Sequence, residues 1–198
     1  DATATMPTRT RHSGDDSASN NSISNQAQNV NPSATKKFSL PETDSDGNKL
    51  SAKQREYFKD SKVTDEDGNL LKVYHGTSED FTVFDKTKGR SNMDIQGMFF
   101  SPWELDAQGY GDKVRAYYLN ITNPASESAA YKALNKFKGQ NGAGVKAREY
   151  LESLGYDGVN NGNEEYIAFN ANQIKLADNA KPTSNDDVRY ALPEIDNY

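Results

Sequence analysis

The sequence predicts a strand-rich α+β domain spanning roughly residues 60 to 178. Three observations point there. Short runs of aromatic and β-branched residues recur, and several stop at glycine or at Asn-Pro. Capped or glycine-bounded helical segments lie between them. The hydrophobic fraction is only 34% and the mean hydropathy is -0.94, so part of the 198 residues is expected to lie outside the folded core.

The elements follow in order. Residues 1–36 are Ser, Thr, Asn, Asp and Ala with almost no large apolar side chain. Such text cannot bury enough surface to offset ordering entropy and reads as a disordered low-complexity tail. Residues 37–59 read as a linker strip with a short helix. "FSLPETD" at 38–44 returns as "YALPEID" at 190–196, which suggests a recurring linker or docking strip of a larger multi-module protein. "TDSDGNKL" at 43–50 and "TDEDGNLL" at 64–71 invite a calcium-loop reading. The spacing fails, because an EF-hand needs Gly at its sixth position and Glu at its twelfth. Both read as Asp-Gly turns. Ser51, with Gln54 three residues on, starts a short helix through a capping box.

A strand is expected from Leu70 to His75, stopped by Gly76, and a loop over 85–96. Residues 97–101 form the next strand. Ser101 at N-cap, Pro102 at N1 and Glu104 at N3 then predict a two-turn helix closed by Gly109. A strand at 114–121 ends at Asn123-Pro124. Helices at 126–138 and 144–154 are separated by the glycines of "GQNGAG". Short strands at 156–160, 165–169 and 173–177 close the domain, and 179–198 is a C-terminal linker or tail.

Composition narrows the function. A net charge of -6 gives no general attraction to nucleic acid or anionic membrane. There is no cysteine, which removes thiolate metal sites. No apolar run is long enough to span a membrane, and the N-terminus lacks a secretory signal pattern. The expected setting is the bacterial cytoplasm. With two histidines, one of them His12 in the tail, a histidine metal cluster is not expected. No Gly-x-Ser-x-Gly elbow, P-loop or dinucleotide fingerprint occurs. A Ser/His/Asp triad stays open, because its members need not be close in sequence.

Three local features remain. Tyr74-His75-Gly76-Thr77 ends a strand, though a lone histidine there is more often structural. Phe99 and Tyr110 stand 11 residues apart, though aromatics at strand ends usually belong to the core. Glu164-Glu165-Tyr166-Ile167 enters a strand, where a Glu is usually solvated. In this order and spacing the three resemble the diphtheria-toxin and poly(ADP-ribose) polymerase class of ADP-ribosyltransferases. The fuller text ("VYHGT", "FFSP…GYG", "YLNI", "YDG", "EYIAFN", "VRYAL") is similar to the transferase modules of large polyvalent proteins of phages and mobile elements. The resemblance runs from about residue 38 to 196 and is densest at 70–124 and 155–177.

It implies a split two-sheet β core with flanking short helices and NAD bound as co-substrate between the sheets. His75 would hydrogen-bond the adenosine-side ribose. Gly76 would present its backbone to the nicotinamide carboxamide, with Thr77 and Ser101 beside it. Phe99 and Tyr110 would sandwich the nicotinamide ring. Glu165 would accept from the ribose 2′-hydroxyl and stabilise an oxocarbenium-like transition state. No metal is implied. The acceptor would be a macromolecule, protein favoured over nucleic acid, recognised near the turn from Asp157 to Glu164, and the protein a bacterial or phage effector or toxin. A NAD glycohydrolase on the same site and an inactive binding module are the alternatives.

Two residues depart from the pattern. Phe99 stands where the class usually has Tyr, which keeps the stacking face and loses a hydroxyl. Asn163 stands two before Glu165, where the arginine-modifying class usually has Glu, so arginine is disfavoured as the acceptor. Glu164 rivals Glu165 for the catalytic role, and the Glu-Tyr-Ile alignment favours Glu165.

Overall fold

The computed structural model describes residues 42–88 and 94–191. The expected tail at 1–36 and most of the two Leu-Pro-Glu strips lie outside the described residues. Within them the element order is α1 (Ala52–Tyr57), β1 (Val73–Thr77), β2 (Met98–Phe100), α2 (Glu104–Gln108), β3 (Lys113–Leu119), β4 (Pro124–Ser126), α3 (Glu127–Lys136), α4 (Ala143–Ser153), β5 (Gly158–Asn161), β6 (Glu165–Ala168) and β7 (Ile174–Leu176). Single turns of 3-10 helix occur at Lys86–Lys88 and Ala171–Gln173.

The strands form two sheets, ordered β1-β3-β7 and β2-β6-β5-β4. That is the expected α+β arrangement with a split β core. All pairings within the sheets are antiparallel except β4 with β5. Side chains alternate across each strand, so each sheet offers two faces. Val73 and Tyr117 from the first sheet meet Met98, Phe100, Tyr166 and Ala168 from the second, forming the core between them. The other face of the second sheet, with Val159 and Ile167, packs on Ala130 and Ala133 of α3 and on Ala147 and Leu151 of α4. The outer face of the first sheet carries Tyr118, which buries with Leu50, Phe58 and Leu70.

The short helix is α1, and its capping box forms: Ser51 Oγ accepts from the Gln54 N–H, and Gln54 Oε1 accepts from the Ser51 N–H. The two Asp-Gly segments are turns. Gly47 and Gly68 sit at φ of 81° and 86°, which favours glycine, and Asp44 and Asp65 each accept from the amide four residues on. At the far end Val188 is 1% exposed in the main core, and its N–H donates to the Thr82 carbonyl.

Several boundaries differ from expectation, and two of them shape the site. β1 runs through Gly76, because β3 pairs along it there, Gly76 opposite Val114. Ser101 does not cap α2. Its backbone exchanges two hydrogen bonds with Tyr74, at 2.7 and 3.0 Å, which holds it extended. The helix therefore starts two residues later than expected, Trp103 is its N-cap without a side-chain bond, and five residues remain helical. Gly109 closes the helix in a right-handed conformation, φ -66°, not the left-handed one.

Candidate functional site

The Tyr74–Ser101 exchange ties the edge of the first sheet to the edge of the second. Beyond it β1 and β2 part, and a cleft of about 720 Å³ opens at the divergence. His75, Gly76, Thr77, Phe99, Ser101, Tyr110 and Glu165 all line it. The structure thus brings together every residue singled out from sequence, from β1, the β2 end, the α2 end and the start of β6.

His75 lies on the inner face of β1. Its ring contacts Phe84 at 5.0 Å and Phe100 at 5.4 Å between centroids, with Phe81 at 6.1 Å. Its Nδ1 is 2.8 Å from the Phe99 carbonyl oxygen. A carbonyl only accepts, so Nδ1 carries the hydrogen. Burial pushes the imidazole pKa below its ordinary value, partly opposed by the Phe99 bond. The neutral ring then leaves Nε2 as an acceptor.

Gly76 has two constraints. Backbone groups two residues apart on a strand point the same way. The N–H and C=O of Tyr74 face Ser101, so those of Gly76 face the same open edge, into the cleft. On its other side, a Cβ would stand 1.8 Å from the Ala107 carbonyl oxygen. Helix α2 rests directly on this glycine, and α2 leads to the Tyr110 wall.

Tyr110 is 58% exposed. Gly111, just after it, also lacks room for a side chain: a Cβ would meet the Thr77 carbonyl carbon at 2.2 Å. The Gly-Tyr-Gly segment is therefore pressed against the end of β1, and its aromatic ring stands at the cleft. Phe99 lines the cleft and packs against the core beneath the second sheet. Ser101 Oγ accepts from the Trp103 N–H at 3.0 Å and donates to Asp106 Oδ2 at 3.2 Å.

Glu165 opens β6 opposite Asn161 and shares a strand face with Ile167, the partner of Phe99. The hairpin before it turns through Gly162 and Asn163, both at φ 67°. Asp157, which precedes β5, accepts from Thr122 N, Thr122 Oγ1 and Asn123 N, each at 2.8 Å. That explains the Asp of "YDG" as a clamp on the 122–123 turn.

Sequence reasoning missed Tyr74, Lys88 and Asp106 as lining residues. Tyr74 adjoins the histidine motif and was within reach. Lys88 sits in a stretch without periodicity, and Asp106 lies mid-helix, where nothing local marks a lining residue. Among the described residues no group of three or more His, Asp or Glu side chains is placed to hold a metal, and no helix is long and apolar enough to cross a membrane.

A family model described as "ADP-Ribosyltransferase in polyvalent proteins" matches residues 65–184. The chain belongs to this family. ADP-ribosyltransferases of this kind generally use NAD as the substrate, and ADP-ribosyl transfer is the activity the family assigns. The matched range contains β1 to β7 and all seven cleft residues named from sequence. No curated protein matches the chain. Among solved structures, one described as "Crystal structure of an anti-CRISPR protein" aligns with a TM-score of 0.34 and 12% identity, over 54% of this ADP-ribosyltransferase chain and 96% of that one.

Proposed function

We propose that the chain is a mono-ADP-ribosyltransferase acting as a bacterial or phage effector within a larger multi-module protein. It cleaves the nicotinamide–ribose bond of NAD and passes ADP-ribose to a macromolecular acceptor, a protein rather than a nucleic acid. The convergence of His75, Phe99, Tyr110 and Glu165 on one cleft carries this reading.

The bond from ribose C1′ to the ring nitrogen breaks, and its electron pair goes to the ring. Nicotinamide leaves neutral, so no general acid is required. Positive charge develops on the ribose, and the Glu165 carboxylate, accepting from the 2′-hydroxyl, stabilises it. The acceptor then gives an electron pair to C1′ and loses its proton to solvent. Phe99 and Tyr110 offer two faces to the cationic ring, worth on the order of 0.5–2 kcal/mol each. Nε2 of His75 accepts from a hydroxyl of the adenosine-side ribose. The open backbone edge of Gly76 suits a carboxamide, which needs one donor and one acceptor.

The acceptor class rests on charge. Three carboxylates, Asp106, Glu164 and Glu165, line the cleft against one lysine, Lys88, among the described residues. A polyanionic nucleic acid is repelled by such a rim.

Incubating the full chain with labelled NAD and bacterial lysate tests the reading. Label is expected on protein with wild type and not with Glu165→Gln. Equal labelling by the two, or none by either, overturns it. Nicotinamide release without lysate and without labelling would make the site a glycohydrolase.

A further inference from the structure

The hairpin that delivers Glu165 is tied together from behind. Gly162 and Asn163 sit at φ 67°, and the Glu164 N–H donates to the Asn161 carbonyl at 3.1 Å, closing a tight turn. Asn163 is the only non-glycine with positive φ among the described residues. Asparagine tolerates that region better than most residues, but it is still uncommon there. Here the side chain is held. The Asn163 N–H donates to Asn160 Oδ1 at 2.8 Å. Asn163 Oδ1 accepts from Asn160 Nδ2 at 2.8 Å and from the Tyr166 hydroxyl at 3.3 Å. Tyr166 is 1% exposed in the core between the sheets, so its phenol joins the turn to that core.

Strand alternation puts Tyr166 and its partner Asn160 on one face of the sheet and Glu165 on the other. The carboxylate is therefore bracketed, by Asn163 two residues before it and Tyr166 one after, through groups that never enter its own face. We infer that Asn163, locked to Asn160 and Tyr166, is a positioning residue that fixes the Glu165 carboxylate against the ribose. This rests on the proposed function. It also gives position 163 a different task from acceptor recognition, because its side-chain oxygen is occupied inside the hairpin.

The geometry of the bonds supplies the test. Every side-chain bond of Asn163 described above uses its oxygen as an acceptor. Asn163→Asp keeps that oxygen and tolerates the left-handed backbone, while Asn163→Gly keeps the backbone and its N–H bond to Asn160 but loses both side-chain bonds of the lock. With the full chain at pH 8, Asn163→Gly and Asn160→Ala are expected to lower kcat for nicotinamide release about 10- to 100-fold, since small misplacements of reacting groups cost that much. KM for NAD should stay within about 2-fold, because the lock does not touch the binding walls. Asn163→Asp should recover most of kcat. A wild-type kcat in Asn163→Gly, or equal losses in the Gly and Asp variants, overturns the inference. Amide exchange at Glu164 is read independently of turnover and should quicken at least 10-fold in Asn163→Gly, with core amides unchanged. Unchanged protection there also overturns it. Absence of turnover in the wild type removes the proposed function alone, and the exchange comparison still decides the lock.

Discussion

The imidazole Nδ1 of His75 lies 2.8 Å from the Phe99 carbonyl oxygen, joining a side chain of the first sheet to the backbone of the second. One bond thus fixes a tautomer and spans the cleft floor. Burial holds the imidazole pKa below its ordinary value. Binding through an Nε2 lone pair should be insensitive to pH until the ring protonates, which needs a pH below the ordinary imidazole value of ~6.5. The expected kcat/KM for NAD is flat from pH 7 to 8 with an acid limb below ~6.5. Stability has the same sign: the unfolded chain takes this proton first, so folding weakens as pH falls below ~6.5. An acid limb centred above ~6.5 would contradict the assignment.

Binding and chemistry are expected to separate at the two ends of the ring slot. Tyr110→Ala removes one stacking face and should raise KM for NAD about 5- to 30-fold, matching ~1–2 kcal/mol. Glu165→Gln keeps the shape and loses the charge, so kcat should fall at least 100-fold with KM little changed. Steady-state kinetics of nicotinamide release read both. The same kinetic defect in the two variants would mean the roles are misassigned.

Gly76→Ala must move backbone, because the neighbour 1.8 Å from the new Cβ is the Ala107 carbonyl. Overpacking of this kind costs ~1–3 kcal/mol. The displacement also carries α2, and with it the Tyr110 wall. Denaturant titration should show the lost stability, and NAD affinity should fall with it. A stable Gly76→Ala with normal NAD binding would contradict the packing described.

Lys175 in β7 is 0% exposed, with Nζ donating to the Asn185 carbonyl oxygen and lying 5.8 Å from the Tyr57 ring centroid. Burial pulls its pKa down to about 8, against the attraction of Asp186 and Asp187. The unfolded chain keeps the proton up to ~10.4. Between those values the unfolded state binds more protons, so stability rises with pH. The wild type should gain stability from pH 7.5 to 9.5 relative to Lys175→Met. Parallel pH profiles for the two would remove Lys175 as the cause.

The cleft was legible in the sequence because its residues sit at strand and helix ends, where residue type and spacing both carry information. His75-Gly76, the Phe99–Tyr110 interval and Glu165-Tyr166-Ile167 each mark such an end. The start of α2 was not legible. Ser101-Pro102-x-Glu104 obeys every local rule for a helix start, yet a backbone exchange with Tyr74, distant in sequence, holds Ser101 extended. The stop at Gly76 failed for the same reason, since pairing with Val114 outweighs the weak strand preference of glycine. The Asn160–Asn163–Tyr166 lock was invisible as well. Nothing in "NNGNEEY" says which amide faces which.

The hydrogen-bonded pair at Tyr74 and Ser101 holds its two strands one ladder spacing apart, ~4.8 Å. Past that point no backbone pair joins the two strands among the described residues, and the His75–Phe99 bond crosses only the floor of the opening. A flat heterocycle with a partner on each face needs more than one strand spacing, and it can travel inward only until the opening narrows to its own thickness. The seam is a depth gauge. On the proposed function, it sets how far the nicotinamide ring goes in, and so how far the ribose behind that ring stands from Glu165.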